Sequence, residues 1–138
     1  MGAWGYGSFE NDTALDWVGD FGDGPSLKLL IDAIQPRADE LGGIPEDEVW
    51  DEEACPTALA AGEVVAAMRG HAHPEFPEEL VEWVEQNRAS ADARLVKQAI
   101  RAATMARQSE LFRSCFMDEE GIAAWEAEVD DLLRRLKA

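Results

Sequence analysis

The C-terminal end of the chain carries the pattern that most restricts what it can fold into. Five large apolar residues recur there at alternating spacings of three and four: Ile122, Trp125, Val129, Leu132 and Leu136. This spacing puts all five on one side of an α-helix, as in a coiled-coil seam, and it does not match the period of a strand. The segment therefore predicts a helix, capped by Asp118, whose apolar side must be covered by the rest of the chain.

Helical spacing recurs in the earlier parts of the chain. Predicted helices start near Asp12, after Ser26, near Glu46, at Pro77 and after Ser90, and Gly70 is the predicted C-terminal cap of the third. Their predicted apolar positions are Ala14, Leu15, Trp17, Val18 and Phe21; Leu27, Leu30, Ile31 and Ile34; Leu59, Val64, Val65 and Met68; Leu80, Val81, Trp83 and Val84; and Leu95, Val96, Ala99, Ile100 and Ala103. No alternating strand pattern and no internal repeat is present. The sequence predicts an all-α fold, a single compact irregular bundle of about six helices formed by residues 1–138.

Composition and charge narrow the possible partners. With 46% apolar residues in 138, the chain can build a globular core. Its net charge of −17 is repelled by phosphate backbones and anionic lipid, which argues against nucleic-acid and membrane-surface binding.

The sequence has no candidate membrane span and no signal-peptide pattern, and Cys55 and Cys115 are predicted to be core residues. We expect a cytoplasmic protein.

The opening stretch, MGAWGYGSFENDTALDW, is unusually rich in glycine and aromatic residues for a chain terminus. Its glycines at positions 2, 5 and 7 exclude a regular helix before Asn11 and Asp12, which are good N-caps. We expect Trp4 and Phe9 to pack into the bundle beside the first helix.

That stretch also resembles the start of a bacterial family known only as a domain of unknown function. The residues that carry the resemblance are Met1-Gly2-Ala3-Trp4-Gly5, Gly7, Phe9-Glu10-Asn11-Asp12 and Asp16-Trp17, followed by ALAAGEVVAAMRG and by SELF at 109–112. The resemblance implies a small intracellular bacterial protein. It supplies no activity, cofactor or catalytic residue.

An acidic run surrounds Trp50 and forms the first candidate binding site. Its members are Glu46, Asp47, Glu48, Asp51, Glu52 and Glu53, and the candidate binding residues among them are Glu46, Asp47, Trp50, Asp51 and Glu52. One interpretation is a solvated helix start. The other is a patch that meets a basic partner, with Trp50 as an interface anchor.

The second candidate site is basic and lies on the longest predicted helix. Arg94, Lys97 and Arg101 share one helical stripe in an otherwise acidic protein. Either this helix pairs with acidic neighbours, or the stripe forms a pocket for an anionic ligand.

Two arrangements of side chains are candidate metal sites. Asp12, Asp16 and Asp20 share one helix side, and His71 and His73 flank Ala72 in a predicted loop. The three aspartates lie on one helix, which rarely completes a coordination shell. Glu75, Glu78 or Glu79 could add a ligand to the histidine pair, but histidines in an exposed loop are more often plain surface residues. We therefore expect no metal and no cofactor. The sequence also lacks a phosphate-binding loop and a nucleophile motif, and therefore identifies no reaction.

Two functional hypotheses follow. The first is a small acidic binding protein that docks a basic protein, in the manner of an inhibitor or immunity protein. The alternative is a small-ligand-binding protein or enzyme that uses the basic stripe or the His71/His73 loop.

Overall fold

The computed structural model describes residues 12–34, 54–74, 76–108 and 119–138, and all regular structure in these ranges is helical. The helices are α1 (Asp12–Asp23), α2 (Leu27–Ile34), α3 (Ala54–Met68), α4 (Val81–Gln86), α5 (Ala93–Arg107) and α6 (Glu119–Lys137), with 3₁₀ turns at Glu78–Leu80 and Arg88–Ser90. The predicted all-α fold is confirmed. The predictions for Trp4, Gly5, Gly7, Phe9, Asn11, Cys55, Cys115 and Asp118, and for the acidic run at 46–53, lie outside the described residues and side chains.

Helix α3 occupies the centre of the fold. Every residue from 58 to 68 is buried, because α1, α2, α4, α5 and α6 all pack against this helix. The sequence predicted that one stripe of this helix is buried, whereas the structure buries all of its sides over residues 58–68. Alanines on the remaining sides allow neighbouring helices to approach, and a Cβ at Gly62 would lie only 3.2 Å from Leu132 Cδ2 of α6.

Two of the predicted helix caps are confirmed. The Ser26 hydroxyl accepts a hydrogen bond from the backbone N–H of Leu29 (3.2 Å) at the start of α2. At the end of α3, Gly70 adopts a φ of 88°, and its N–H donates to the Ala67 carbonyl at 3.0 Å. The next N–H, of His71, donates to the Ala66 carbonyl at 2.9 Å. This is the paired bonding of a Schellman motif, which glycine favours.

The predicted cap of α5 was wrong. The cap is Asp92, whose Oδ1 accepts a hydrogen bond from Leu95 N at 2.9 Å. Ser90 instead closes the 3₁₀ turn Arg88–Ser90, so it precedes α5 by too many residues to reach its free N–H groups.

Most predicted core positions are buried, including Val18, Phe21, Trp125, Val129, Leu132 and Leu136. Leu15 and Val81 are exceptions, with 43% and 44% of their surface exposed. In α1 the buried residues follow the spacing of Ala14, Val18 and Phe21, and Leu15 is rotated away from that stripe. In the same way, Leu80 and Val84 point to the core and turn Val81 outward.

Aromatic rings join α1 to α4. Trp17 stacks on Phe21 with ring centroids 4.9 Å apart, and Phe21 meets Trp83 edge-on at 5.0 Å. Helices α5 and α6 adjoin each other, and α2 lies against α3 and α5. None of the described helices is long and apolar enough to cross a membrane.

Candidate functional site

A fully buried carboxylate lies at the centre of the fold. Glu63 of α3 is 0% exposed, and no other charged residue of the described segments is buried. Arg135 of α6 donates to both of its oxygens, from Nη1 to Oε2 at 2.7 Å and from Nη2 to Oε1 at 2.9 Å. This bidentate geometry satisfies a charge that would otherwise be very costly to bury.

Arg135 also holds two other parts of the molecule. Its Nε donates to Asp131 Oδ2 at 2.9 Å, and its Nη1 donates to the His71 carbonyl at 3.2 Å. Burial alone lowers the pKa of Arg135, but its hydrogen bonds and charge interactions with Glu63 and Asp131 outweigh that effect and raise the pKa above its ordinary value. The guanidinium therefore ties α6 to α3 and to the loop after α3.

The His71/His73 loop packs against α6. His71 contributes its backbone carbonyl to Arg135, while His73 Nε2 lies 3.8 Å from Glu128 Oε2. Across the described residues, no three His, Cys, Asp or Glu side chains are grouped so that they could hold a metal ion. The geometry of this loop is that of an anchored connection between helices.

Sequence reasoning missed Glu63 and Arg135. A signal was available, since Glu63 is the one charged residue within the apolar run ALAAGEVVAAM. A lone carboxylate inside such a run predicts a buried, paired charge. Its partner was not predictable, because Arg134, Arg135 and Lys137 all occur in the last turn of α6.

The surface formed by α1 and by the segment Glu78–Gln86 has only acidic charges. Its exposed acids, which define the α1–α4 acidic surface, are Asp16, Asp20, Asp23, Glu78, Glu79, Glu82 and Glu85. Neither Asp12–Asp23 nor Glu78–Gln86 contains a lysine or arginine. Glu85 lies 3.5 Å from Arg88 Nη1, and the other acids of this surface make no ion pair with a cation of the described segments.

The charges on α5 and α6 are arranged differently. Arg107 of α5 bonds to Asp130 Oδ1 at 2.8 Å and lies 3.5 Å from Glu126 Oε2. Asp131 pairs with both Arg134 and Arg135. Half of the six acids of α6 thus pair with an arginine, whereas within the described segments only Glu85 does so on the α1–α4 acidic surface.

Apolar side chains accompany the α1–α4 acidic surface. Leu15 and Val81 are among the large apolar residues exposed in the described structure. Trp17 and Trp83 are half-buried at the junction of the two helices. The surface therefore offers apolar contact area as well as negative charge.

A cleft lies between α2 and the start of α5, and we call it the α2–α5 cleft. It encloses about 330 Å³ and is lined by Leu27, Ile31, Ser90, Asp92, Arg94, Leu95 and Gln98. Of the predicted basic stripe, Arg94 lines the cleft. Lys97 and Arg101 are exposed and do not line it, so the three residues of the stripe do not share this cleft.

The similarity seen at the N-terminus extends over nearly the whole sequence. A family model described as "Domain of unknown function (DUF4259)" matches residues 2–128. The chain belongs to the DUF4259 family. No curated protein and no solved structure matches it. The DUF4259 description states no activity.

Proposed function

We propose that this protein is a binding protein whose α1–α4 acidic surface docks a basic protein partner. The observation that carries the proposal is the lack of compensation on that surface. Among the described residues, Glu85 is the one acid of this surface that pairs with a cation, whereas Glu126, Asp130 and Asp131 of α6 are all paired. Uncompensated charge of one sign attracts and orients a partner of the opposite sign.

The apolar residues on this surface support the same proposal. Interfaces combine a desolvated centre, often with tryptophan, and a polar rim. Leu15 and Val81 are exposed on these two segments, and Trp17 and Trp83 are half-buried on either side of Phe21, so the segments offer apolar contact area as well as acids. An inhibitor or immunity protein that covers a basic active site is the specific form we favour, in the cytoplasm of a bacterium.

Two matched variants test which acidic region docks the partner. The first, Asp16→Asn/Asp20→Asn/Glu79→Gln, removes three charges from the α1–α4 acidic surface. The second, Asp47→Asn/Asp51→Asn/Glu52→Gln, removes three charges of the same kinds from the acidic run at 46–53. Each changes the net charge from −17 to −14, so a difference between them reports location and not total charge.

The experiment starts with co-purification from the cells that make the protein, followed by identification of the partner and measurement of its association rate. We expect a basic partner whose association slows steeply with salt, because steering is screened. The first variant should slow association by about tenfold or more at low salt, and the second should have little effect. A stronger effect of the second variant would move docking to the run at 46–53. Equal rates for all three proteins would refute acidic docking.

A further inference from the structure

The α2–α5 cleft has the size and composition of a small-molecule site. Its volume of about 330 Å³ falls within the range of roughly 300–1,000 Å³ that is usual for ligand pockets. Such sites have an apolar lining with a few polar groups that fix orientation. Unlike the α1–α4 acidic surface, this cleft has an arginine in its lining. None of its lining residues belongs to the docking surface proposed above.

The apolar part of the cleft comes from both helices. Leu95 of α5 is buried, with 4% of its surface exposed, while Leu27 and Ile31 of α2 are half-buried. These three side chains can cover an aliphatic body but offer it no polar contact. A small ion without an apolar part would leave these three side chains in contact with water.

The polar part of the cleft consists of one cation, one acid and two neutral side chains that can both donate and accept hydrogen bonds. Arg94 presents a guanidinium, Gln98 an amide and Ser90 a hydroxyl, and within the described segments none of these side chains has a hydrogen bond or ion pair. A guanidinium has only donors, and it binds carboxylates in a planar, two-bond geometry. Asp92 is the acid in the lining, and its Oδ1 already accepts the N–H of Leu95 as the cap of α5.

From this juxtaposition we infer that the α2–α5 cleft binds a small aliphatic monocarboxylate. The carboxylate pairs with Arg94, and Ser90 and Gln98 add neutral hydrogen bonds. The aliphatic chain covers Leu27, Ile31 and Leu95. Because Asp92 in the same lining offsets the charge of Arg94, the cleft accommodates at most one negative charge, and the apolar side chains must supply the rest of the affinity.

Octanoate is a suitable probe, with acetate and octanamide as controls. Acetate keeps the charge without the aliphatic body, and octanamide keeps the body without the charge. Binding is followed by ¹H–¹⁵N NMR of the intact chain, with octanoate kept below its micelle concentration. We expect saturable shifts at the amides of Ser90, Arg94, Leu95 and Gln98, and binding of acetate and octanamide that is weaker by about tenfold or more.

Arg94→Gln and Lys97→Gln form a matched pair of variants. Both remove one positive charge from the exposed side of α5, but Lys97 does not line the cleft. We expect Arg94→Gln to weaken octanoate binding by about tenfold or more, and Lys97→Gln to leave it within about twofold. The NMR spectra of both variants check that the fold is intact. Absence of cleft shifts, equal losses in both variants, or equal affinity for octanamide and octanoate would each overturn the inference.

Discussion

Arg134 and Arg135 are adjacent in sequence and differ sharply in environment. The Arg134 side chain is 78% exposed, whereas that of Arg135 is 14% exposed and reaches the buried Glu63. An exposed ion pair contributes little to stability, because solvent screens it and both side chains lose entropy. A buried carboxylate that loses its partner remains as an uncompensated charge in the core. Substitution of Arg135 is therefore predicted to lower the free energy of unfolding strongly, and substitution of Arg134 only slightly.

We expect Arg135→Met to reduce the free energy of unfolding by about 3–5 kcal/mol, because it removes the guanidinium that donates to both oxygens of the buried Glu63 carboxylate. The matched control Arg134→Met should cost less than about 0.5 kcal/mol. Denaturant unfolding of the two variants measures both values. The double variant Glu63→Leu/Arg135→Met should recover much of the loss, since it removes both charges together. Equal effects of the two single substitutions would contradict the buried pair.

At the scale of the element, α5 shows how a few residues decide where a helix starts. Ser90 and Asp92 are both good N-caps by residue type. The Arg88–Ser90 turn places Ser90 too early, and the Asp92 carboxylate takes the N–H of Leu95. The choice between the two depends on the path of the chain out of α4, which residue preferences do not contain.

Substitution of the two residues tests this assignment. Asp92→Ala should lower the free energy of unfolding by about 1 kcal/mol, because it removes the cap of α5. Ser90→Ala should have an effect close to zero, within about 0.5 kcal/mol. Thermal or denaturant unfolding measures both. A larger loss for Ser90→Ala would restore Ser90 as the cap.

At the scale of the whole molecule, negative charge is distributed unevenly and at a cost. Asp16 and Asp20 are one turn apart on α1, and like charges at this spacing repel. Asp20 and Asp23 also lie near the C-terminal end of α1, where the helix dipole disfavours anions, and no basic residue occupies its last turn. We therefore expect these acids to lower the stability of the fold slightly, which is consistent with the docking role proposed above.

The variant Asp16→Asn/Asp20→Asn/Glu79→Gln should therefore be slightly more stable than the unsubstituted protein at low salt. We expect a higher Tm at 10 mM salt, where the Debye length is about 30 Å, and a smaller difference at 1 M, where it is about 3 Å. Calorimetry at the two salt concentrations measures the effect. If the Tm of the variant is unchanged or higher, a loss of partner binding by this variant is not caused by unfolding. A lower Tm of this variant at 10 mM salt would show that these acids stabilise the fold.

The glycine- and aromatic-rich start of the chain leads to a further prediction at this scale. We expect deletion of residues 1–9 to lower the Tm of the whole domain, and Trp4→Ala alone to cost about 3–5 kcal/mol, as for a buried aromatic residue. The control Leu15→Ala, at a position that is 43% exposed, should cost much less. A thermal melt of each protein decides the matter. A deletion that leaves the Tm unchanged would indicate an exposed recognition arm instead.

The sequence by itself determined the helical class, most helix positions and most of the core. Apolar spacing of three and four, the Ser26 cap and the Gly70 C-cap act over a few residues, so they are visible without the fold. The tertiary structure decided which helix is central, which of two caps is used, and that Leu15 and Val81 face outward. It also paired Glu63 with Arg135 and placed Arg94, but not Lys97 or Arg101, in the lining of the α2–α5 cleft. These features depend on contacts between residues far apart in the chain, and a local pattern carries no information about which distant partner a side chain will meet.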